Sequence, residues 1–113
     1  MFHKHLLVSG TCRDYNSGEL VFIESWMDEL VRLVDMNILI PTQAVFCETE
    51  GNDGITAIVC IDTSHASIHL WNAPISNLRF DLYSCKDFDE MVVLQHLKKL
   101  GVFETKYQII DRN

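Results

Sequence analysis

Several features that would place a protein in a familiar class are missing from this sequence. No apolar run approaches the length needed to cross a bilayer. Residues 1–5 lack the layout of charge, long apolar stretch and small cleavage-site residues that marks a signal peptide. Only 9 Lys and Arg oppose 16 Asp and Glu, so the net charge is −7. We therefore expect a soluble cytoplasmic protein with no membrane partner and no basic face for a nucleic acid.

Cysteine is present, but not in the patterns that build metal sites or disulfide frameworks. The four cysteines are Cys12, Cys47, Cys60 and Cys85, and none forms a C-x-x-C pair. Without a secretory signal, free thiols are expected rather than disulfides. His65 shares a strand face with the histidine four residues later, but no third ligand stands at fitting spacing. No metal is predicted.

The apolar pattern predicts one domain over residues 1–113. Nearly half of the residues are apolar, which is enough for a core. The predicted order is β-α-β-β-β-β-α-β, with strands over residues 3–11, 38–47, 55–62, 67–71, 78–84 and 104–111. Short strands joined by tight turns predict an α+β fold, a two-layer sandwich with a mainly antiparallel sheet and two helices on one face.

Local signals mark the ends of the two helices. Apolar residues at helical spacing predict a first helix over residues 19–35, with Ser17 as its N-cap. Asp87 is predicted to begin the second helix in a capping box with Glu90, and Gly101 to end it. Pro41 cannot donate to a strand ladder, so the second strand is predicted to be an edge strand or a bulged one.

Residues 62–71 concentrate reactive side chains in a short stretch. They hold two serines, two histidines and a tryptophan directly after a buried strand, and the strand that follows delivers Cys85. A hydroxyl, an imidazole and a thiol on neighbouring strands can serve as nucleophile, base and proton donor. Ser64 lies where the buried strand ends and the chain turns, a position at which backbone strain can be held.

The segment over residues 54–71 resembles the central segment of the bacterial and archaeal S-adenosylmethionine decarboxylases. In that family a hydrophobic strand ends in glutamate, serine and histidine, followed by serine or threonine, isoleucine, histidine, threonine and tryptophan. The corresponding string here is Thr63-Ser64-His65-Ala66-Ser67-Ile68-His69-Leu70-Trp71. The resemblance extends to residues 5–8, which match the family's first strand, and to residues 80–85, which match its strand ending in cysteine.

The resemblance implies a self-processing enzyme. Ser64 would attack the carbonyl of Thr63, and the chain would be cut between them to leave a pyruvoyl group at residue 64. That cofactor forms a Schiff base with the substrate amine and takes up electrons as carbon dioxide departs. By position, His69 matches the base used in processing, Thr56 a hydroxyl that assists it, and Cys85 the thiol that reprotonates the substrate carbon.

The family also implies a substrate and an assembly. Its members convert S-adenosylmethionine to the decarboxylated product that donates aminopropyl groups in spermidine synthesis. They are usually homodimers or larger homo-oligomers.

The sequence departs from the family at the positions that bind substrate. Thr63 stands where the family has glutamate, and Trp71 is followed by Asn72 rather than by the family's proline and glutamate. Phe46 is the candidate for stacking on adenine. Thr63, Trp71, Asn72 and Phe46 are thus the candidate substrate-binding residues. This pattern leaves open a decarboxylase retargeted to ornithine or arginine, and a non-catalytic or regulatory homologue.

Overall fold

The order of helices and strands is the one that the sequence predicts. In the computed structural model, which describes residues 2–113, the strands are β1 (Lys4–Thr11), β2 (Ile38–Cys47), β3 (Gly54–Ile61), β4 (Ser64–Trp71), β5 (Asn77–Ser84) and β6 (Phe103–Asp111). The helices are α1 (Leu20–Leu33) and α2 (Glu90–Leu97), each joined to one short 3₁₀ turn, Ser17–Glu19 and Lys98–Leu100. The predicted α+β sandwich is confirmed.

All six strands form one antiparallel sheet in the order β2-β3-β4-β5-β1-β6. β4 lies in the middle of the sheet, between β3 and β5. At one end of β4, Ser64 is paired with Ile61 and Ser84. At the other end, Trp71 is paired with Gly54 and Asn77. These two ends are called the Ser64 end and the Trp71 end below.

Strand alternation gives the sheet two different surfaces. On β4, Ala66, Ile68 and Leu70 are buried against the helices, whereas the residues between them are half-buried or exposed on the other side. We call that second surface the open face. Both helices cover the first surface, where Trp26 of α1 donates a hydrogen bond of 3.0 Å to the carbonyl oxygen of His96 on α2.

The helix ends differ from the predicted ones by a few residues. Asn16, rather than Ser17, caps the turn before α1, in a capping box with Glu19. α2 begins at Glu90 and is capped by Asp89, not by Asp87. The reason is that Lys4 draws the Asp87 and Glu90 carboxylates onto its ammonium group, at 3.2 and 2.8 Å. None of the helices within residues 2–113 combines the length and the apolar content needed to span a membrane.

The prediction for the second strand is confirmed. β2 is an edge strand, and its register with β3 shifts on both sides of Ile40, next to Pro41. β4, in contrast, begins three residues earlier than predicted, at Ser64 rather than Ser67. This difference decides the geometry of the candidate site.

Candidate functional site

At the Ser64 end, Asp62 and Thr63 form the two-residue turn that joins β3 to β4. The turns favoured at this length place a positive φ on one or both loop residues. Here the positive φ falls on Ser64 instead, at 154°. An L-residue adopts such a conformation rarely, at a cost of about 1–3 kcal/mol. The backbone strain predicted for Ser64 is therefore present at this residue.

The turn is held in place from the loop between α1 and β2. Asp62 donates its main-chain N–H to the Asn37 carbonyl at 3.0 Å, and its carboxylate accepts two hydrogen bonds from Asn37 at 3.3 and 3.0 Å. The hydrogen bonds from Asn37 lower the pKa of the Asp62 carboxyl. On the other side, the Thr63 hydroxyl contacts the sulfur of buried Met36 at 3.1 Å. The Thr63 side chain is thus directed toward this loop.

The carbonyl that precedes Ser64 has a fixed hydrogen-bond donor. The main-chain N–H of Cys85, directly after β5, donates to the carbonyl oxygen of Thr63 at 3.0 Å. Such a donor polarises a carbonyl and stabilises the negative charge that forms when a nucleophile attacks it. The Ser64 hydroxyl itself forms no hydrogen bond within residues 2–113. A half-buried hydroxyl, a polarised carbonyl and a thiol-bearing residue therefore lie together at this end.

Toward the Trp71 end, the open face holds two other predicted site residues, Thr56 and His69. Thr56 and His69 are register partners on β3 and β4, and the Thr56 hydroxyl lies 3.0 Å from His69 Nδ1. The His69 ring stacks on Trp71, with ring centroids 5.3 Å apart and planes 19° from parallel. Trp71 in turn donates its indole N–H to Asn52. These contacts fix the orientation of the imidazole.

Within one chain, the Thr56–His69 pair does not come close to Ser64. Ser64 and His69 are five residues apart on the same strand, a distance of roughly 16 Å. The expectation that the imidazole and the thiol could both lie near Ser64 in one chain is therefore wrong for His69. The physical reason is the early start of β4, which leaves no turn between these two residues.

Two candidate substrate-binding residues have structural roles in the chain. The Asn72 carboxamide accepts from the main-chain N–H of Tyr15 and donates to its carbonyl, both at 2.8 Å, so both of its polar atoms are engaged. Phe46 is the register partner of Ile55 and packs against the core on the helix side of the sheet. Both residues lie toward the Trp71 end, away from Ser64.

A polar cluster on the open face was not among the predicted site residues. Asp81 accepts a hydrogen bond from Ser67 on one carboxylate oxygen, and its other oxygen lies 2.8 Å from His5 Nε2 and 3.7 Å from His65 Nε2. The alternation of polar residues along each strand was a visible signal, but it did not reveal which strands would be neighbours. Among residues 2–113, no three His, Cys, Asp or Glu side chains are arranged to hold a metal ion.

Next to this cluster, a groove of about 580 Å³ crosses the open face. Its polar lining consists mainly of Ser9, Ser67, His69, Arg79, Asp81 and Lys106. The groove has room for a small molecule. It adjoins the Thr56–His69 pair, because His69 forms part of its wall.

Comparison with known proteins supports one family. The family model described as S-adenosylmethionine decarboxylase matches residues 5–113. Among solved structures, the adenosylmethionine decarboxylase from Aquifex aeolicus VF5 is similar in fold, with a TM-score of 0.77, 19% sequence identity, and coverage of 99% of this chain and 91% of that chain. At this identity the likeness shows the fold alone. No curated protein sequence matches the chain. Because the family match spans nearly all of its length, the chain belongs to the S-adenosylmethionine decarboxylase family.

Proposed function

We propose that this chain is a self-processing, pyruvoyl-dependent decarboxylase that converts S-adenosylmethionine to the aminopropyl donor for spermidine synthesis. Family membership supports the decarboxylase class and the substrate. The observation that carries the self-processing step is the Thr63–Ser64 peptide: its carbonyl accepts the N–H of Cys85 at 3.0 Å, and Ser64 has a φ of 154°. A cytoplasmic location stays a prediction of the sequence.

The proposed processing step rewrites the bond between residues 63 and 64. The Ser64 hydroxyl oxygen attacks the Thr63 carbonyl carbon and the C–N bond breaks, leaving an ester and a free amino group on residue 64. Loss of the Cα proton and departure of the Thr63 carboxylate give a dehydroalanine. The dehydroalanine isomerises to an imine, water adds to the imine carbon, and ammonia leaves to give the pyruvoyl carbonyl. The strained φ favours this reaction because cleavage relieves it, and the N–H of Cys85 stabilises the oxyanion formed by the attack.

The residues around position 64 fit the group that would form there. A pyruvoyl carbonyl supplies an electron-withdrawing centre that takes up the electron pair left when carbon dioxide departs. Cys85 is half-buried beside the turn and directly follows the strand that pairs with Ser64. Its thiol would then give a proton to the substrate carbon, as the family resemblance implies.

A second copy of the chain completes the proposed site. The Thr56–His69 pair lies about 16 Å from Ser64 in its own chain, too far for proton transfer. In a two-fold homodimer the same surface of both copies forms the interface, and the two copies run in opposite orientation. The Trp71 end of one copy can therefore meet the Ser64 end of the other. The His69 imidazole of one protomer would then act on Ser64 of its partner, at two equivalent centres.

Intact-mass spectrometry of the purified protein tests this function. We expect two fragments, residues 1–63 and residues 64–113, with a pyruvoyl group at the start of the second. The Ser64→Ala variant is the control, and it should remain full length. Carbon dioxide release should then be measured with S-adenosylmethionine, ornithine and arginine in parallel. Release of carbon dioxide from ornithine or arginine alone would assign that amino acid as the substrate instead. A natural chain that never splits would refute the self-processing step.

A non-catalytic or regulatory homologue is the second candidate. The engagement of Asn72 by Tyr15 favours it, because a residue at a substrate-binding position then has no free polar atom. Equilibrium dialysis with S-adenosylmethionine separates the two candidates. A full-length chain that binds the ligand without releasing carbon dioxide would support the non-catalytic role.

A further inference from the structure

A row of polar side chains crosses the open face beside the Thr56–His69 pair. His69 is the register partner of Arg79. Arg79 is paired in turn with Ser9, and Ser9 is paired with Lys106. Neighbouring strands lie about 4.8 Å apart, so the two long cationic side chains rise on either side of a small serine. The row therefore forms a cationic notch in the groove, with the Ser9 hydroxyl at its floor.

Both cations of the notch lack a neutralising partner in the described part of the chain, residues 2–113. Within residues 2–113, no carboxylate forms an ion pair with Arg79 or Lys106. Arg79 donates from Nη1 to the Asn77 side chain and to the Leu78 carbonyl at 3.1 Å, and both of these acceptors are neutral. This leaves its other guanidinium nitrogens available to a ligand.

The carboxylates close to the notch do not compete for it. Asp81 lines the same groove, but its oxygens are engaged by Ser67 and His5. Glu104 lies on the neighbouring rim with Arg79 and Lys106 and pairs with neither of them. Two unpaired cations in one groove of a chain with a net charge of −7 indicate an anionic ligand.

We propose that Arg79 and Lys106, over Ser9, form a carboxylate-binding subsite. The planar guanidinium matches the two oxygens of a carboxylate, the ammonium group adds a second charge-assisted hydrogen bond, and the Ser9 hydroxyl can donate a third. The carboxylate has two possible sources, the α-carboxylate of the amino-acid substrate or a separate carboxylic acid. The first source rests on the proposed function, because it places the substrate beside His69.

Binding to the full-length Ser64→Ala protein tests the subsite without catalysis. Titration calorimetry would compare S-adenosylmethionine with its decarboxylated form, which differs only by the carboxylate. We expect the decarboxylated form to bind about tenfold more weakly, the effect of one good charge-assisted contact. Arg79→Ala or Lys106→Ala should reduce this difference toward equality, and Arg79→Lys should keep part of it.

Malonate is the probe for the second source. If it binds in an Arg79-dependent manner while the two adenosyl ligands bind equally, the subsite takes a separate carboxylate. Lys98→Ala is the matched control, because it removes one exposed positive charge from the helix side of the molecule. Equal binding of the adenosyl ligands together with no malonate binding overturns the proposal, as does an equal effect of Lys98→Ala and Arg79→Ala.

The outcome is separable from that of the proposed function. The Ser64→Ala protein cannot form a pyruvoyl group, so carboxylate binding is measured whether or not the natural chain cleaves itself. A natural chain that never splits would remove the proposed enzyme and leave the subsite in place. A natural chain that splits normally, with no preference for the carboxylate-bearing ligand and no malonate binding, would remove the subsite alone.

Discussion

The main-chain N–H of Cys85 donates a hydrogen bond of 3.0 Å to the carbonyl oxygen of Thr63. Because the donor is the backbone, any residue except proline at position 85 can supply it. The thiol is therefore free for a separate task. One residue can thus serve two steps, first as an N–H that polarises the bond before Ser64, and then as a side chain that moves a proton.

This division of roles predicts different effects of one substitution on two reactions. Cys85→Ala keeps the main-chain donor, so self-cleavage should persist. The rate of self-cleavage should fall much less, relative to the natural protein, than the rate of turnover. Release of carbon dioxide by the cleaved protein should fall about 100-fold or more, since proton transfer by a positioned group contributes 10²–10⁴-fold.

Mass spectrometry over time measures the cleavage, and carbon dioxide release measures the turnover. Cys60→Ala is a suitable control, because Cys60 is a half-buried thiol on β3 with no proposed role. Loss of cleavage in Cys85→Ala, with normal turnover by the small cleaved fraction, would reverse the assignment.

The conformation of Ser64 predicts an unusual order of stability. Ser64→Gly and Ser64→Ala both lack the hydroxyl and should stay uncleaved. Since φ at this position is 154°, the glycine variant should be more stable by about 1 kcal/mol, although glycine normally weakens a strand.

Urea unfolding of the two uncleaved variants gives the comparison. The same pair of substitutions at Ser67, further along β4 and without a positive φ, should show the usual order with alanine more stable. If alanine is the more stable residue at position 64 as well, the strain is absent.

The string over residues 63–71 and the apolar periodicity were sufficient to predict the family, the order of elements and the antiparallel sheet. The start of β4 was not predictable, because two-residue hairpin turns usually contain glycine or asparagine and Thr63 gave no such signal. The engagement of Asn72 by Tyr15 was equally hidden, since it joins residues 57 positions apart and leaves no local pattern. Long-range pairing of this kind depends on strand order, which local periodicity does not encode.

The separation of Ser64 from His69 predicts that two inactive proteins can restore each other. Ser64→Ala lacks the proposed nucleophile and His69→Ala lacks the proposed base, so each alone should stay uncleaved. If the site is shared between protomers, a mixed dimer holds one intact centre. Co-expression should then cleave part of the His69→Ala chains, and mass spectrometry identifies which chain is cut.

Co-expression of the doubly substituted chain, Ser64→Ala with His69→Ala, and the His69→Ala chain is the matched control. That mixture contains no intact imidazole at position 69 and should give no cleavage. Absence of fragments from the first mixture, while its dimer is demonstrated by sedimentation, would contradict the shared site.

A buried histidine away from the site predicts the acid sensitivity of the fold. His96 is 2% exposed, its Nε2 lies 2.9 Å from the Trp26 carbonyl oxygen, and its ring stacks on the Trp26 indole. Its other ring nitrogen has no partner within residues 2–113. Burial lowers the pKa of His96, because a charged imidazole is poorly solvated there.

The sign of the pH effect follows from that lowered pKa. As the pH falls below the usual histidine pKa of about 6.5, the unfolded chain binds a proton that the folded chain does not. The stabilisation from the neutral ring is complete above that pH and is lost as the pH falls through the folded-state pKa. The free energy of unfolding should therefore decrease between pH 7 and pH 5. The Glu90 carboxyl, whose pKa the hydrogen bond from Lys4 lowers, titrates below this window.

Urea unfolding of the Ser64→Ala protein at pH 7, 6 and 5 measures this decrease without interference from cleavage. Adding His96→Gln removes the titrating ring and keeps an amide N–H that can donate to the Trp26 carbonyl. The variant should be less stable at pH 7, because the stacked ring is lost, but its stability should depend less on pH. If both proteins lose the same free energy between pH 7 and pH 5, another group is responsible and the neutral state of His96 does not control the acid sensitivity of this fold.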